Sequence, residues 1–338
     1  MIITRTPFRI SFFGGGTDYP VWYRKEGGSV LSTTIDKYCY LSCRYLPPFF
    51  DYKHRIVYSK VELINKIQDI QHPAVKACFK FLKLKDGIEL HHDGDLPART
   101  GLGSSSSFTV GLLHSLYAMN GIMPTKQRLA SEAIHVERDL LKENVGSQDQ
   151  IAVSYGGFNK INFYPNGSFE VEPIVIRKSK LDHLQKNILL YFTGFSRIAS
   201  NIAGKQIKNT PKKKKELAEM QQMVDKAKDI LSNGTNLNEF GKLMHASWLL
   251  KKSLTDAISN PEIDRIYAAA QRAGALGGKL LGAGGGGFMI FYVKPEHQAK
   301  VRQRLKKLLE VKFRFDFSGS QIVFARDDAH RTDRFRGY

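Results

Sequence analysis

The chain has 338 residues, 51 Lys and Arg against 32 Asp and Glu, and a formal net charge of +19; 42% of its residues are hydrophobic and 25% charged. That length and composition allow a large core in two domains sharing a cleft, and exclude a disordered chain or a small stapled fold. No stretch is long and apolar enough for a membrane span, and Arg5 and Arg9 interrupt the first apolar run, so neither a signal peptide nor a membrane partner is expected.

In chain order, residues 1–13 and "GGSVLSTTIDKYCYLSCRYL" are rich in β-branched and aromatic residues and predict strands. "VELINKIQDI" and "HPAVKACFKFLKL" carry the apolar spacing of helices. "FTVGLLHSLYAMNG" predicts a buried helix closed at Asn120-Gly121. "TKQRLASEAIHVERDLL" predicts another, with Thr125 as N-cap and Leu129, Ala133, Val136 and Leu140 on one face. "GFNKINFYPNGSFEVEPIVI" predicts a hairpin turning at Asn166-Gly167. Beyond about residue 185 the texture changes. "NILLYFTGF" predicts a strand, and long helices are expected over 211–232 and 237–259. Residues 261–294 read helix, turn, strand, glycine loop, strand; "PEHQAKVRQRLKKLLE" follows as a helix and "KFRFDFS" as a strand. No internal repeat is found. The class is α+β in two parts, 1–185 and 186–338.

The excess of basic residues admits two kinds of partner, nucleic acid or small phosphorylated ligands. Lys and Arg are scattered rather than striped, and the densest run, "PKKKKE" at 211–216, reads as a solvated helix start. With no zinc-finger spacing, RNA-recognition signature or helix-turn-helix, no nucleic acid is expected. Three cysteines without a CxxC fit a reducing, cytoplasmic setting, with Cys39 and Cys43 as small core residues on one face of a strand. "HHDGD" at 91–95 reads as a strand end, since no two histidines lie three or four apart as on a ligand helix.

Three glycine-rich segments stand out: "FFGGGTDY" (12–19), "RTGLGSSSSF" (99–108) and "LGAGGGGF" (281–288). A flexible linker would have polar flanks, whereas these are bounded by apolar, ordered-looking sequence. The middle segment runs into a helix, which puts bare N–H groups and the positive end of the helix dipole at one point, an arrangement that suits phosphate. An ordinary tight turn with a serine cap is the plain alternative. Neither a P-loop nor a dinucleotide fingerprint is present.

Taken together, "TPFRISFFGGGTDY", "LPARTGLGSSSSF" and "KLLGAGGGGFMIF" resemble the three ordered motifs of the GHMP kinases. The resemblance implies a two-domain α+β fold with the active site in the inter-domain cleft, and ATP and Mg2+ as cofactors. It places Pro97, Gly101, Leu102, Gly103, Ser104, Ser105, Ser106 and Ser107 around the ATP phosphates. Where galactokinase typically has G-E-H-T-D-Y, this sequence has "GGGTDY", which puts galactose in doubt. "FGGGTDYP", "GGSVLSTTIDKY" and "LLYFTGFSRIAS" instead look like the bacterial D-glycero-D-manno-heptose 7-phosphate kinases, so a phosphorylated sugar is the implied partner, with a homo-oligomer possible.

By the same resemblance, Asp149 in "VGSQDQ" is the base or orienter for the sugar hydroxyl, and Arg9 would keep it ionised and stabilise the transferred phosphoryl. Glu137 and Ser105 are the magnesium pair, with Ser104 and Ser106 aligning equally well. Gly15, Gly16, Thr17 and Asp18 are placed on the sugar; Gly284 and Gly285 are placed at the substrate in the segment that backs the phosphate loop and shapes the cleft, and Arg197 and Ser200 are read as contacts to the substrate phosphate. Each has a plainer reading: a helix-start Asp, a strand Arg on a solvated face, a mid-helix Glu paired with Arg138, a "TDYP" turn. Two rival functions keep the fold, a kinase for another sugar such as fucose and a non-catalytic sugar sensor.

Overall fold

The computed structural model describes residues 1–98, 100–194 and 199–326. The first part of the chain runs β1 (Ile2–Phe13), α1 (Pro20–Glu26), β2 (Gly28–Tyr45), β3 (His54–Val57), β4 (Val61–Ile64), α2 (Pro73–Phe81), β5 (Ile88–Gly94), α3 (Ser104–Met119), α4 (Lys126–Ile134), α5 (Gln148–Tyr155), β6 (Phe158–Phe163) and β7 (Phe169–Pro173). It continues with α6 (Lys178–Asn187), β8 (Ile188–Phe192), α7 (Ala199–Asn209), α8 (Lys214–Ser232), α9 (Asn238–Ser253), α10 (Pro261–Arg272), β9 (Ala275–Leu280), β10 (Phe288–Val293), α11 (Pro295–Arg304), β11 (Leu309–Glu310), β12 (Phe315–Asp316) and β13 (Gln321–Ala325).

Two sheets organise these elements. The larger has the order β13-β1-β2-β5-β3-β4, with β6 pairing β2 and β7, and β12 also pairing β2. The 18-residue β2 is its backbone, since it pairs antiparallel with β1 along its length, with β5 over Cys39–Tyr45 and with β6 over Gly28–Thr33. Its first eight residues, Gly28–Ile35, are buried at every position, and Cys39 and Cys43 are buried farther along it. α3 lies across β1 and β2. Its buried face includes Gly111, where a Cβ would stand 2.9 Å from Thr6 Oγ1, so helix and sheet approach closely. The smaller sheet has the order β11-β8-β10-β9. Its β10, Phe-Met-Ile-Phe-Tyr-Val, is buried at every position.

Several expected elements change. "VELINKIQDI" forms β4 and a short 3-10 turn over Ile67–Asp69 rather than a helix, because pairing with β3 takes its first four residues. The helix expected over 237–259 ends at Ser253, and "KFRFDFS" contributes two strand residues, Phe315 and Asp316. Thr125 does cap α4, accepting from Arg128 N. However, α4 passes into a π-helical turn over His135–Leu140, in which Leu141 N bonds Val136 O. The wider turn shifts the helical phase by about one residue. Leu140 is therefore 44% exposed rather than on the apolar face, and Glu137 points into the core.

Candidate active site

The middle glycine segment and α3 form one unit. Gly103 is the N-cap, in a left-handed conformation (φ 79°), and the serines occupy the first turn of α3. Glycine at the cap sets the N-terminal N–H groups at an open helix end, the arrangement that suits an anion. The third glycine segment backs this loop. A Cβ on Gly101 would lie 2.3 Å from Leu281 O, and one on Gly282 would lie 2.5 Å from Gly101 Cα. Phe288 N also donates to Thr100 O at 3.1 Å. The glycines thus let two backbones meet across a seam.

Arg9, on β1, is buried beside this seam. Its Nη1 donates to Gly101 O at 2.6 Å, while Nε and Nη2 donate to Asp149 Oδ1 and Oδ2, each at 2.8 Å. Asp149, in the first turn of α5, is thereby held by a bidentate guanidinium that is itself anchored to the glycine loop. Asp18 faces the same space. Its Oδ1 accepts from Gly16 N at 2.9 Å, and its side chain also bonds Gln148. Burial raises its pKa, and the nearby Asp149 adds to the rise. Thr17 is turned away from the cleft, its hydroxyl donating to Gly14 O and Ser29 O to brace the turn.

Glu137 is wholly buried at the start of the π turn. Ser105 Oγ donates to its Oε1 at 3.0 Å, Ser106 Oγ to its Oε2 at 2.8 Å and Thr109 Oγ1 to its Oε1 at 3.0 Å, with Gln150 Nε2 completing the set. All four donors are neutral, and burial pushes the carboxyl up to about 7. A buried carboxylate among hydroxyl oxygens, reached from the surface through exposed Ser105, is a hard-oxygen set that fits a magnesium ion. Arg138 does not pair with it, because it bonds Asp139 instead.

The remaining positions separate. Ser107 is turned into the fold, donating to Pro7 O and Gly103 O, and Leu102 is packed in the core. Pro97 is exposed and its carbonyl accepts from Thr100 Oγ1, while Ser104 begins α3. Gly15 and Gly16 line the turn before Asp18. Gly284 and Gly285 pack on the turn at Ile258, with Gly285 N bonding Ile258 O at 2.9 Å, so the contact with the middle glycine segment falls to Gly282, against Gly101, and Gly287, against Thr100. Ser200 Oγ accepts from Asn144 N, and Arg197 lies outside the described residues.

Four site groups were not read from the sequence. Ser11 Oγ and Gln148 Oε1 are buried and have no hydrogen-bond partner among the described residues, and both side chains flank Gly15. Lys279 Nζ donates to Ser11 O and Phe12 O, each at 2.9 Å, and Lys251 Nζ donates to Gly282 O. The signal for Lys251 was present: Phe240, Met244, Ser247, Trp248 and Lys251 follow one another on the buried stripe of α9.

The model of the GHMP kinases N terminal domain matches residues 69–157, and that of GHMP kinases C terminal matches 213–311. The chain is 32% identical over 322 residues to the D-glycero-alpha-D-manno-heptose 7-phosphate kinase of Campylobacter jejuni, covering 90% of this chain and 93% of that protein. The chain belongs to the GHMP kinases. As a GHMP kinase it is a phosphotransferase that takes an alcohol group as acceptor. Its fold matches that of a D-glycero-D-manno-heptose 1-phosphate kinase from Bacteroides thetaiotaomicron, with a TM-score of 0.79 and 22% identity over 97% of this chain and 100% of that one. It likewise matches that of Lactococcus lactis galactokinase, with a TM-score of 0.73 and 21% identity over 95% of this chain and 94% of that one. Among the described residues, no helix is long and apolar enough to cross a membrane.

Proposed function

We propose that this sugar kinase transfers the γ-phosphoryl group of ATP to the anomeric 1-OH of D-glycero-D-manno-heptose 7-phosphate, giving the 1,7-bisphosphate in the cytoplasm. The observation that carries the reading is the bidentate Arg9–Asp149 pair, tied through Gly101 O to the loop at the head of α3. Phosphoryl transfer asks little covalent chemistry of a protein; it needs positioning and charge neutralisation. In this reading the acceptor oxygen attacks the γ-phosphorus, the bond to the β,γ-bridging oxygen breaks, and ADP leaves. The hydroxyl proton passes to Asp149, and Arg9 holds that carboxylate and faces the phosphoryl in flight. Asp18, Ser11 and Gln148 offer acceptors and donors to sugar hydroxyls around Gly15. Glu137 and the hydroxyls of Ser105 and Ser106 would hold magnesium, which neutralises triphosphate charge when bound. Residues 1–185 supply the phosphate loop, Arg9 and Asp149, and the part beyond 186 supplies the backing glycine loop and the two buried lysines.

The heptose assignment is supported by the 32% identity with the Campylobacter jejuni enzyme. The test is magnesium-dependent ADP release from ATP with heptose 7-phosphate, free heptose, mannose, galactose, fucose and a no-sugar control. Release confined to heptose 7-phosphate is expected. Release with another sugar moves the substrate, and binding of ATP without release on any acceptor would favour a sensor.

A further inference from the structure

Two lysines lie buried near Arg9 and Asp18. Lys279, 2% exposed on β9, has two backbone carbonyls as partners, both at the end of β1. Lys251, 5% exposed at the end of α9, has one described partner, Gly282 O. An ammonium is seldom buried unless it is paired, because water stabilises its charge so well. Each of these lysines meets a backbone carbonyl rather than a carboxylate.

The position of Gly282 gives Lys251 a route to the reacting groups. Gly282 abuts Gly101, and Gly101 O is the acceptor for Arg9 Nη1. Lys251 therefore braces, through one carbonyl and one backbone seam, the group that holds Asp149. Its charge also couples to that group. Arg9 from β1, Asp18 from the turn after β1, Asp149 from α5 and Lys279 from β9 are the charged groups that interact with it. Lys251 and Arg9 thus stand near two carboxylates, Asp18 and Asp149, while burial pushes the Lys279 ammonium well below its ordinary range.

We propose that Lys251 is a positioning residue for phosphoryl transfer, which must carry its proton to brace the Gly282–Gly101 seam and to keep the Arg9–Asp149 pair in a positive field. This inference rests on the kinase reading but not on the identity of the sugar. Burial pushes the ammonium down to about 8, with Arg9 adding to the fall and Asp18 and Asp149 opposing it. The proton is then lost from the folded protein in the range just above neutrality, whereas an unfolded lysine keeps it to about 10.4. Between those limits the unfolded chain binds more protons, so deprotonation of Lys251 raises stability while it lowers turnover.

The test compares the full-length wild type with Lys251→Met and Lys251→Arg across pH 6.5 to 10. Turnover is read with heptose 7-phosphate and, separately, as slow acceptor-free release of ADP. That second readout lets the sugar assignment fail while Lys251 is still tested. In both readouts Lys251→Met is expected to lose about tenfold or more in kcat. Its KM for ATP should move by less than about fivefold, and its melting temperature at pH 7.5 should hold or rise. The alkaline fall of the wild-type rate should be absent from Lys251→Met and shifted to higher pH in Lys251→Arg. If Lys251→Met fails to fold, the Lys251→Arg pH profile decides alone. An unchanged alkaline limb in Lys251→Arg, or a kcat for Lys251→Met within about threefold of wild type, overturns the proposal. So does a parallel loss of ATP affinity and melting temperature, which would make Lys251 a structural strut only.

Discussion

Replacing Asp149 by Asn is the sharpest probe of the proposed chemistry, because it changes one atom of a group whose contacts are fully described. Asn keeps an oxygen to accept from Arg9 Nε, but its amide nitrogen faces Arg9 Nη2, a donor opposite a donor. One charge-assisted bond is lost, worth about 1.5–3 kcal/mol in a fully shielded setting. The Asp149 side chain is 26% exposed, so solvent screening brings the expected cost to about 1–2 kcal/mol. At a few degrees per kcal/mol for a chain of this size, the melting temperature should fall by less than about 10 °C, leaving the protein folded at assay temperature. Loss of the proton acceptor is a different order of effect, about 10²- to 10⁴-fold in kcat, or roughly 3–5 kcal/mol of barrier. The donors at the head of α3 are untouched, so calorimetric affinity for a non-hydrolysable ATP should stay within about threefold. Steady-state kinetics, calorimetry and a thermal melt on one preparation separate these quantities. Turnover within about fivefold of wild type would remove Asp149 from proton transfer. A loss of ATP affinity as large as the loss of turnover would make it a clamp for the loop.

Two glycines should separate the acceptor and donor sides of the cleft. A Cβ on Gly146 would fall 1.8 Å from Asp18 Oδ2, so Gly146→Ala should raise the acceptor KM about tenfold or more and leave that for ATP nearly unchanged; Gly101→Ala, at a φ of +85° and against Leu281 O, should raise the KM for ATP first and cost more than about 1 kcal/mol of stability. Steady-state kinetics on both variants check the split, and equal effects on both KM values would count against it. Glu137→Gln removes a buried charge held by neutral donors. The melting temperature should hold or rise, while the magnesium concentration for half-maximal turnover climbs about tenfold or more. A magnesium titration showing no change would take Glu137 out of the metal site.

What the sequence disclosed follows from how local each signal is. The glycine loops, Thr125 as a cap and Asp149 in the first turn of a helix are short-range features, legible because a few adjacent residues determine them. The seam between Gly101 and Gly282 joins residues far apart in the chain, so only the fold shows which glycine touches which. Leu140 was misplaced because α-helical spacing was carried through a π turn, the same turn that points Glu137 inward. β4 looked helical because its exposed Val61 and Leu63 supply apolar residues that its pairing with β3 does not bury. Lys251 was passed over because a lysine on an amphipathic helix reads as surface, and nothing near it in sequence announces a buried carbonyl partner.

The return of β13 to the edge of β1 has a consequence for how the molecule is made. β1 is synthesised ~300 residues before its outer neighbour, a delay of tens of seconds at ordinary elongation rates. For that interval one edge of the nascent sheet carries open N–H and C=O groups beside strongly apolar sequence, a surface prone to pairing with the wrong strand. The first sheet is thus completed only once that distant strand has been made, and until then β1 must be kept from wrong partners.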